Sequence, residues 1–213
     1  AIFIHGLGSD SNTCQPPEPA LSRATWIVPD LLGHGAESPK PASPDAYTMR
    51  HQAECIHKVL QKERVARLFV IAHSMGGPIA LDLLDMCRDG GGPEVTGMVY
   101  AEGNIDEGDC FGSKKAVEKG PGDTAEGAAA YHSAADLVRV SCDGSLWPRL
   151  EALMARGMPI KFTYGEKNRG RFTSQGLLEG CGVPIAWVPG SGHSMHRDAG
   201  MEHFWKIVDE HMG

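Results

Sequence analysis

With 213 residues, 41% of them hydrophobic, the chain is long enough for one well-buried core and too short for two ordinary domains. Its 20 basic and 27 acidic side chains leave a net charge of −7, and no basic block or basic helix appears, which argues against a nucleic acid or an anionic membrane as partner. No run approaches the roughly 18 apolar residues of a membrane span. Six scattered cysteines (Cys14, Cys55, Cys87, Cys110, Cys142, Cys181), with no CxxC and no Cys/His cluster at zinc spacing, read as free thiols of an intracellular, cytoplasmic protein. No signal peptide is visible, although the sequence opens inside a strand, where a leader could have been removed.

In chain order, Ala1-Ile2-Phe3-Ile4 reads as a buried strand ending in the turn His5-Gly6-Leu7-Gly8. A second strand is expected over residues 25–28, before Pro29-Asp30 and the turn Gly33-His34-Gly35. Residues 47–63 carry Met49, Ala53, Ile56, Val59 and Leu60 at helical spacing. Residues 68–71 form the next strand, followed by Ala72-His73-Ser74-Met75-Gly76 and a helix through Ile79, Leu83 and Met86 that closes at Gly90-Gly91-Gly92. Further strands are expected over 95–101, 159–164 and 185–188, with a final amphipathic helix over 201–208. Strands alternating with helices imply a parallel sheet covered on both faces, an α/β fold. The interval of about 104–157 holds no strand signal, and residues 131–140 look helical. A loop that long in a compact domain implies a small helical lid or binding insertion rather than a structureless excursion.

Ala72-His73-Ser74-Met75-Gly76 puts a serine on a sharp strand-to-helix turn, where small residues two positions away on either side allow a strained backbone. Together with His5-Gly6-Leu7-Gly8, Asp30-Leu31-Leu32-Gly33-His34-Gly35 and Gly190-Ser191-Gly192-His193, in that order, it resembles the α/β-hydrolase family over nearly the whole chain. The resemblance implies one α/β-hydrolase domain over 1–213 with a mostly parallel sheet, helices on both faces and the small lid. Family members usually carry two strands before the His-Gly turn, and here those N-terminal strands are missing from the sequence. Either the fold is minimal or the numbered chain lacks its natural N-terminus.

By that resemblance Ser74 is the nucleophile and His193, on a loop after the last strand, its base. The bland alternative makes Ser74 an ordinary helix cap and His193 a loop residue. Other histidines compete poorly: His73 must point away from the serine, His34 belongs to a turn, and His51, His57, His203 and His211 lie on helix-like segments. His196 is close enough to His193 to contact substrate or to serve the surface. Many relatives place the acid where this chain has Asn168, which offers no charge. Others, including zearalenone lactonases and some haloalkane dehalogenases, take it from the end of the preceding strand, where this chain has Glu102. Glu102 is therefore expected to be the acid, with Glu166 and Asp106 as alternatives. The oxyanion hole should be the N–H groups of Leu7 and Met75. Asp30 and its glycine turn read as structural.

The expected function is a serine hydrolase of carboxylic esters or lactones acting through an acyl-enzyme on Ser74, with no cofactor, no metal and a small-molecule substrate. Leu137, Val138, Leu146 and Trp147 are candidate walls for that substrate. A dehalogenase is disfavoured because that reaction needs a carboxylate at the elbow. A carbon–carbon bond hydrolase, an acyltransferase, a cofactor-free haloperoxidase, or a ligand-binding receptor on the same fold stay open, as does the oligomeric state.

Overall fold

The computed structural model describes residues 1–18 and 22–213. Five parallel strands lie side by side in sequence order: β1 (Ile2–Ile4), β2 (Arg67–His73), β3 (Glu94–Ala101), β4 (Ile160–Gly165) and β5 (Ile185–Val188). Seven helices are described: α1 (Met49–Lys62), α2 (Gly76–Asp89), α3 (Phe111–Lys119), α4 (Ala125–Cys142), α5 (Leu146–Ala155), α6 (Thr173–Gly180) and α7 (Met201–Met212).

Side chains alternate across a strand, so each strand feeds two layers. Leu68, Val70 and Ala72 of β2 join Ile2, Ile4, Met98, Tyr100, Phe162 and Tyr164 under α1, α2, α5 and α6. Phe69 and Ile71 turn the other way with Phe3, Val99, Ala101 and Val188, and are covered by Phe204, Trp205 and Val208 of α7. That three-layer arrangement is what makes β2 read as an unbroken apolar run.

Two helix starts are set by side-chain caps. Thr48 caps α1 by accepting from His51 N at 3.2 Å, and Thr124 caps α4 by accepting from Gly127 N at 3.0 Å. Gly76 opens α2 directly against β1, where a Cβ would drive into the Ile4 carbonyl oxygen. Residues 104–157 hold α3, α4 and α5, so residues 131–140 are indeed helical.

One expectation needs correction, and one element is added. Residues 25–28 do not form a strand; Ile27 makes a single parallel bridge to Ile2, with Ile27 N on Ala1 O at 2.9 Å and Phe3 N on Ile27 O at 3.0 Å. The next ladder donor would be the nitrogen of Pro29, which carries no hydrogen. The structure also contains α6, an eight-residue helix with glycines at 176 and 180, too short and too glycine-rich to show periodicity.

Candidate active site

The carboxyl ends of the strands converge, as expected for a parallel α/β sheet. Ser74 follows β2 and Glu102 follows β3, and both hold left-handed backbones, φ 55° and φ 44°. Neither is glycine, so both turns are strained. What holds them is the sheet itself. Ser74 N donates to Ala101 O at 3.0 Å and Glu102 N to Thr163 O at 2.9 Å, each extending the parallel ladder by one residue.

His193 sits on the loop after β5. Asp198 ties that loop together, accepting from the Ser191 hydroxyl, from Gly192 N at 2.8 Å and from Gly200 N at 3.0 Å. Burial alone would raise the Asp198 carboxyl, but those donors outweigh it and hold it below its ordinary value. His73 donates its Nε2 hydrogen to His193 O at 2.7 Å. The imidazole of His193 stacks on Phe172, with centroids 6.1 Å apart.

His193 Nδ1 meets Glu102 Oε2 at 2.6 Å. The Glu102 side chain is fully buried and that of His193 is 44% exposed, so the carboxylate lies behind the ring and the ring faces outward. Glu102 Oε1 also accepts from Gly165 N at 2.7 Å, and Asn168 Nδ2 reaches both carboxylate oxygens at 3.0 and 3.1 Å. Arg171 Nη1 donates to Asn168 Oδ1 at 3.1 Å, which fixes which end of that amide faces Glu102.

The other two carboxylates offered by the sequence lie elsewhere. Glu166 is exposed and accepts from Gly190 N at 3.4 Å. Asp106 caps the short 3-10 turn Glu107–Asp109, accepting from Gly108 N at 2.9 Å and from the Thr173 hydroxyl. Asn168 carries no charge, and nothing in the sequence marks it as a donor to the neighbouring strand's carboxylate.

Ser74, Glu102 and His193 line one cavity of about 470 Å³, together with Leu7 of the His-Gly turn. The Ser74 hydroxyl makes no hydrogen bond among the described residues, so it stands free in that cavity. Gly6 lies so close that a Cβ there would sit 2.9 Å from Ser74 Cβ. Neither Leu7 N nor Met75 N donates to any acceptor among the described residues, and Met75 immediately precedes α2. Two backbone donors are thus available beside the serine.

Of the four predicted walls, only Leu137 lines the cavity. Leu146 is buried in the core and Trp147 packs against it, because α5 turns its apolar face to the sheet; Val138, half-buried, also stays outside. The walls are instead Phe111, Ala116, Ala130 and Phe172, joined by Asp109. His196 is a further correction. It reaches neither substrate space nor surface, being buried between Phe3, His73 and Phe204. Three other clefts are larger: two, about 520 and 730 Å³, open near the amino ends of the strands, and one of about 510 Å³ lies along Arg169–Glu179. The first holds Cys87, whose thiol burial pushes up to about 11.

This architecture is the α/β-hydrolase fold. A family model described as alpha/beta hydrolase fold matches residues 2–98. The magnesium-chelatase 30 kDa subunit of Rhodobacter capsulatus is 37% identical over 83 residues, which are 38% of this chain and 28% of that protein. The chain thus aligns with little more than a quarter of that relative's length. Among solved structures, a thermophilic esterase from Thermogutta terrifontis (malate bound) superposes with a TM-score of 0.74 at 16% identity, over 99% of this chain and 88% of the other. Est816, described as an N-acyl homoserine lactone degrading enzyme, gives a TM-score of 0.67 at 17% identity, covering 98% and 91%. The fold stands on these likenesses. No helix among the described residues is long and apolar enough to cross a membrane.

Proposed function

We propose that the protein is a serine hydrolase of carboxylic esters or lactones, with Ser74 as nucleophile, His193 as base and Glu102 as acid. The observation that carries this reading is the 2.6 Å contact of His193 Nδ1 with buried Glu102, beside a cavity into which the strained elbow presents Ser74. With Nδ1 committed to the carboxylate, Nε2 is the nitrogen left for the serine proton. Nucleophile–base contacts are often loose in the free enzyme and tighten around substrate.

Ser74 Oγ attacks the carbonyl carbon as His193 takes the hydroxyl proton. Glu102 remains ionised and stabilises the imidazolium. The oxyanion accepts from the N–H groups of Leu7 and Met75, donors worth about 2.7–4 kcal/mol of barrier each. Collapse breaks the ester bond, and the departing alkoxide takes the proton from His193. Water, deprotonated by the same imidazole, then attacks the acyl-enzyme and releases the acid and Ser74. Residues 104–157 act as a helical lid over this single domain, and Phe111, Leu137 and Phe172 accommodate an apolar acyl or alcohol portion.

The esterase and lactonase among the structural neighbours support the choice of ester chemistry. Rapid mixing with a 4-nitrophenyl ester should give a nitrophenol burst equal to the enzyme concentration, lost in Ser74→Ala. An undiminished burst from that variant would overturn the reading.

A further inference from the structure

The cavity contains one cation that the hydrolytic chemistry does not use. Arg171 is the only Arg or Lys among the described residues lining it. Each carboxylate in the lining is already occupied. Glu102 holds His193, Gly165 and Asn168. Asp109 accepts from Ile105 N at 2.9 Å and from Ser174 Oγ at 2.8 Å. Arg171 forms no ion pair among the described residues; its side chain donates one hydrogen bond, Nη1 to Asn168 Oδ1, which leaves most of its five N–H groups open. Its Nη1 lies on Asn168 Oδ1, and the same amide donates to Glu102, so this exposed guanidinium stands one side chain away from the carboxylate that holds His193. The remaining surface is largely apolar, with Leu7, Phe111, Ala116 and Leu137.

We infer that Arg171 is a specificity-determining residue that selects substrates with a carboxylate in addition to the scissile ester, on an otherwise apolar body. This rests on the hydrolase reading above and narrows its substrate class. A planar guanidinium with a fork of free donors matches a carboxylate, and such charge-assisted pairs are among the stronger hydrogen bonds. The protein as a whole is net negative, at −7. A local cation is therefore what would let an anionic ester settle here rather than be repelled.

The test compares two matched pairs of esters. 4-Nitrophenyl hydrogen adipate against 4-nitrophenyl hexanoate places the carboxylate on the acyl side; 3-acetoxybenzoate against 3-acetoxybenzamide places it on the alcohol side. The wild-type protein should prefer the charged member of at least one pair by about tenfold in kcat/KM. Arg171→Gln should bring that ratio to about one, chiefly through KM, and Arg171→Lys should keep part of it. Arg171 also contacts Asn168, so the ratio is the readout rather than the rate. A ratio of one or less in both pairs, or a preference that survives Arg171→Gln, overturns the inference while leaving the hydrolase reading intact. Equal loss on both members of a pair would reduce Arg171 to a prop for Asn168 and also overturn it. No turnover of any of the four esters removes the hydrolase reading and this inference with it.

Discussion

Ser74 and Glu102 pay for their placement in backbone strain. Each sits at positive φ with a full side chain, a conformation that costs roughly 1–2 kcal/mol for a non-glycine residue. Ser74→Gly should therefore abolish ester hydrolysis and still raise unfolding stability by about 1 kcal/mol, read from urea midpoints. A less stable Ser74→Gly protein would mean that the elbow is not strained. Asn168 belongs to the same scale. Its amide donates to both oxygens of a carboxylate that has no access to water, so Asn168→Ala removes charge-assisted hydrogen bonds worth about 1.5–3 kcal/mol. The expected result is a kcat lower by about 10- to 100-fold with KM little changed; an unaltered kcat would show that Gly165 N alone suffices to orient Glu102.

At the scale of elements, the helices between β3 and β4 are not anchored alike. In α4, Asp136 Oδ2 accepts from Met49 N at 2.7 Å, capping α1 from another helix, and Ser133 Oγ meets His34 Nε2 at 3.1 Å. His132 stacks on Tyr47. In contrast, α3 buries only Ser113 and leaves Phe111 44% exposed. Amides of α3 should therefore exchange with solvent deuterium well before those of the middle of α4. Equal protection of both helices would contradict this ranking. Element legibility follows the same physics. The strands β2 and β5 were readable because their apolar runs are short and uninterrupted, β3 through Met98–Ala101 after Thr96 and Gly97, and α1 because its apolar residues recur at helical spacing. Residues 25–28 looked like a strand by composition, but Pro29 removes the donor a ladder would need. Site residues on strand ends were legible through the turns that carry them. Leu146 and Trp147 were misassigned because helical periodicity gives an apolar face but not which neighbour it meets. Asn168 was illegible as a partner of Glu102, since that meeting brings together the turns that follow two different strands.

Across the whole molecule, buried titratable groups set the response to acid. Burial lowers His34 and His196 to about 4, with repulsion from His5 and Arg197 adding respectively. Burial, then His193 and His196, depress His73 well below its ordinary value. An unfolded chain protonates these imidazoles near pH 6.5, so their contribution to stability is complete above that pH and lost as pH falls toward 4. Asp109 opposes them. Burial raises its carboxyl to about 6, so its contribution is present below about pH 4 and lost as pH rises to 6. Buried His5, also lowered by burial, adds to these imidazoles, which together outweigh Asp109. The urea midpoint should be lower at pH 5 than at pH 7.5; a midpoint that rises at pH 5 would reverse the balance.

The central claim is that the hydroxyl at position 74 is activated as a nucleophile, and intact-mass measurement after fluorophosphonate treatment tests it most directly. The account predicts one adduct per chain, mapped to Ser74, much slower adduct formation in His193→Ala and none in Ser74→Ala. An adduct on another residue, or undiminished labelling of Ser74→Ala, would contradict it.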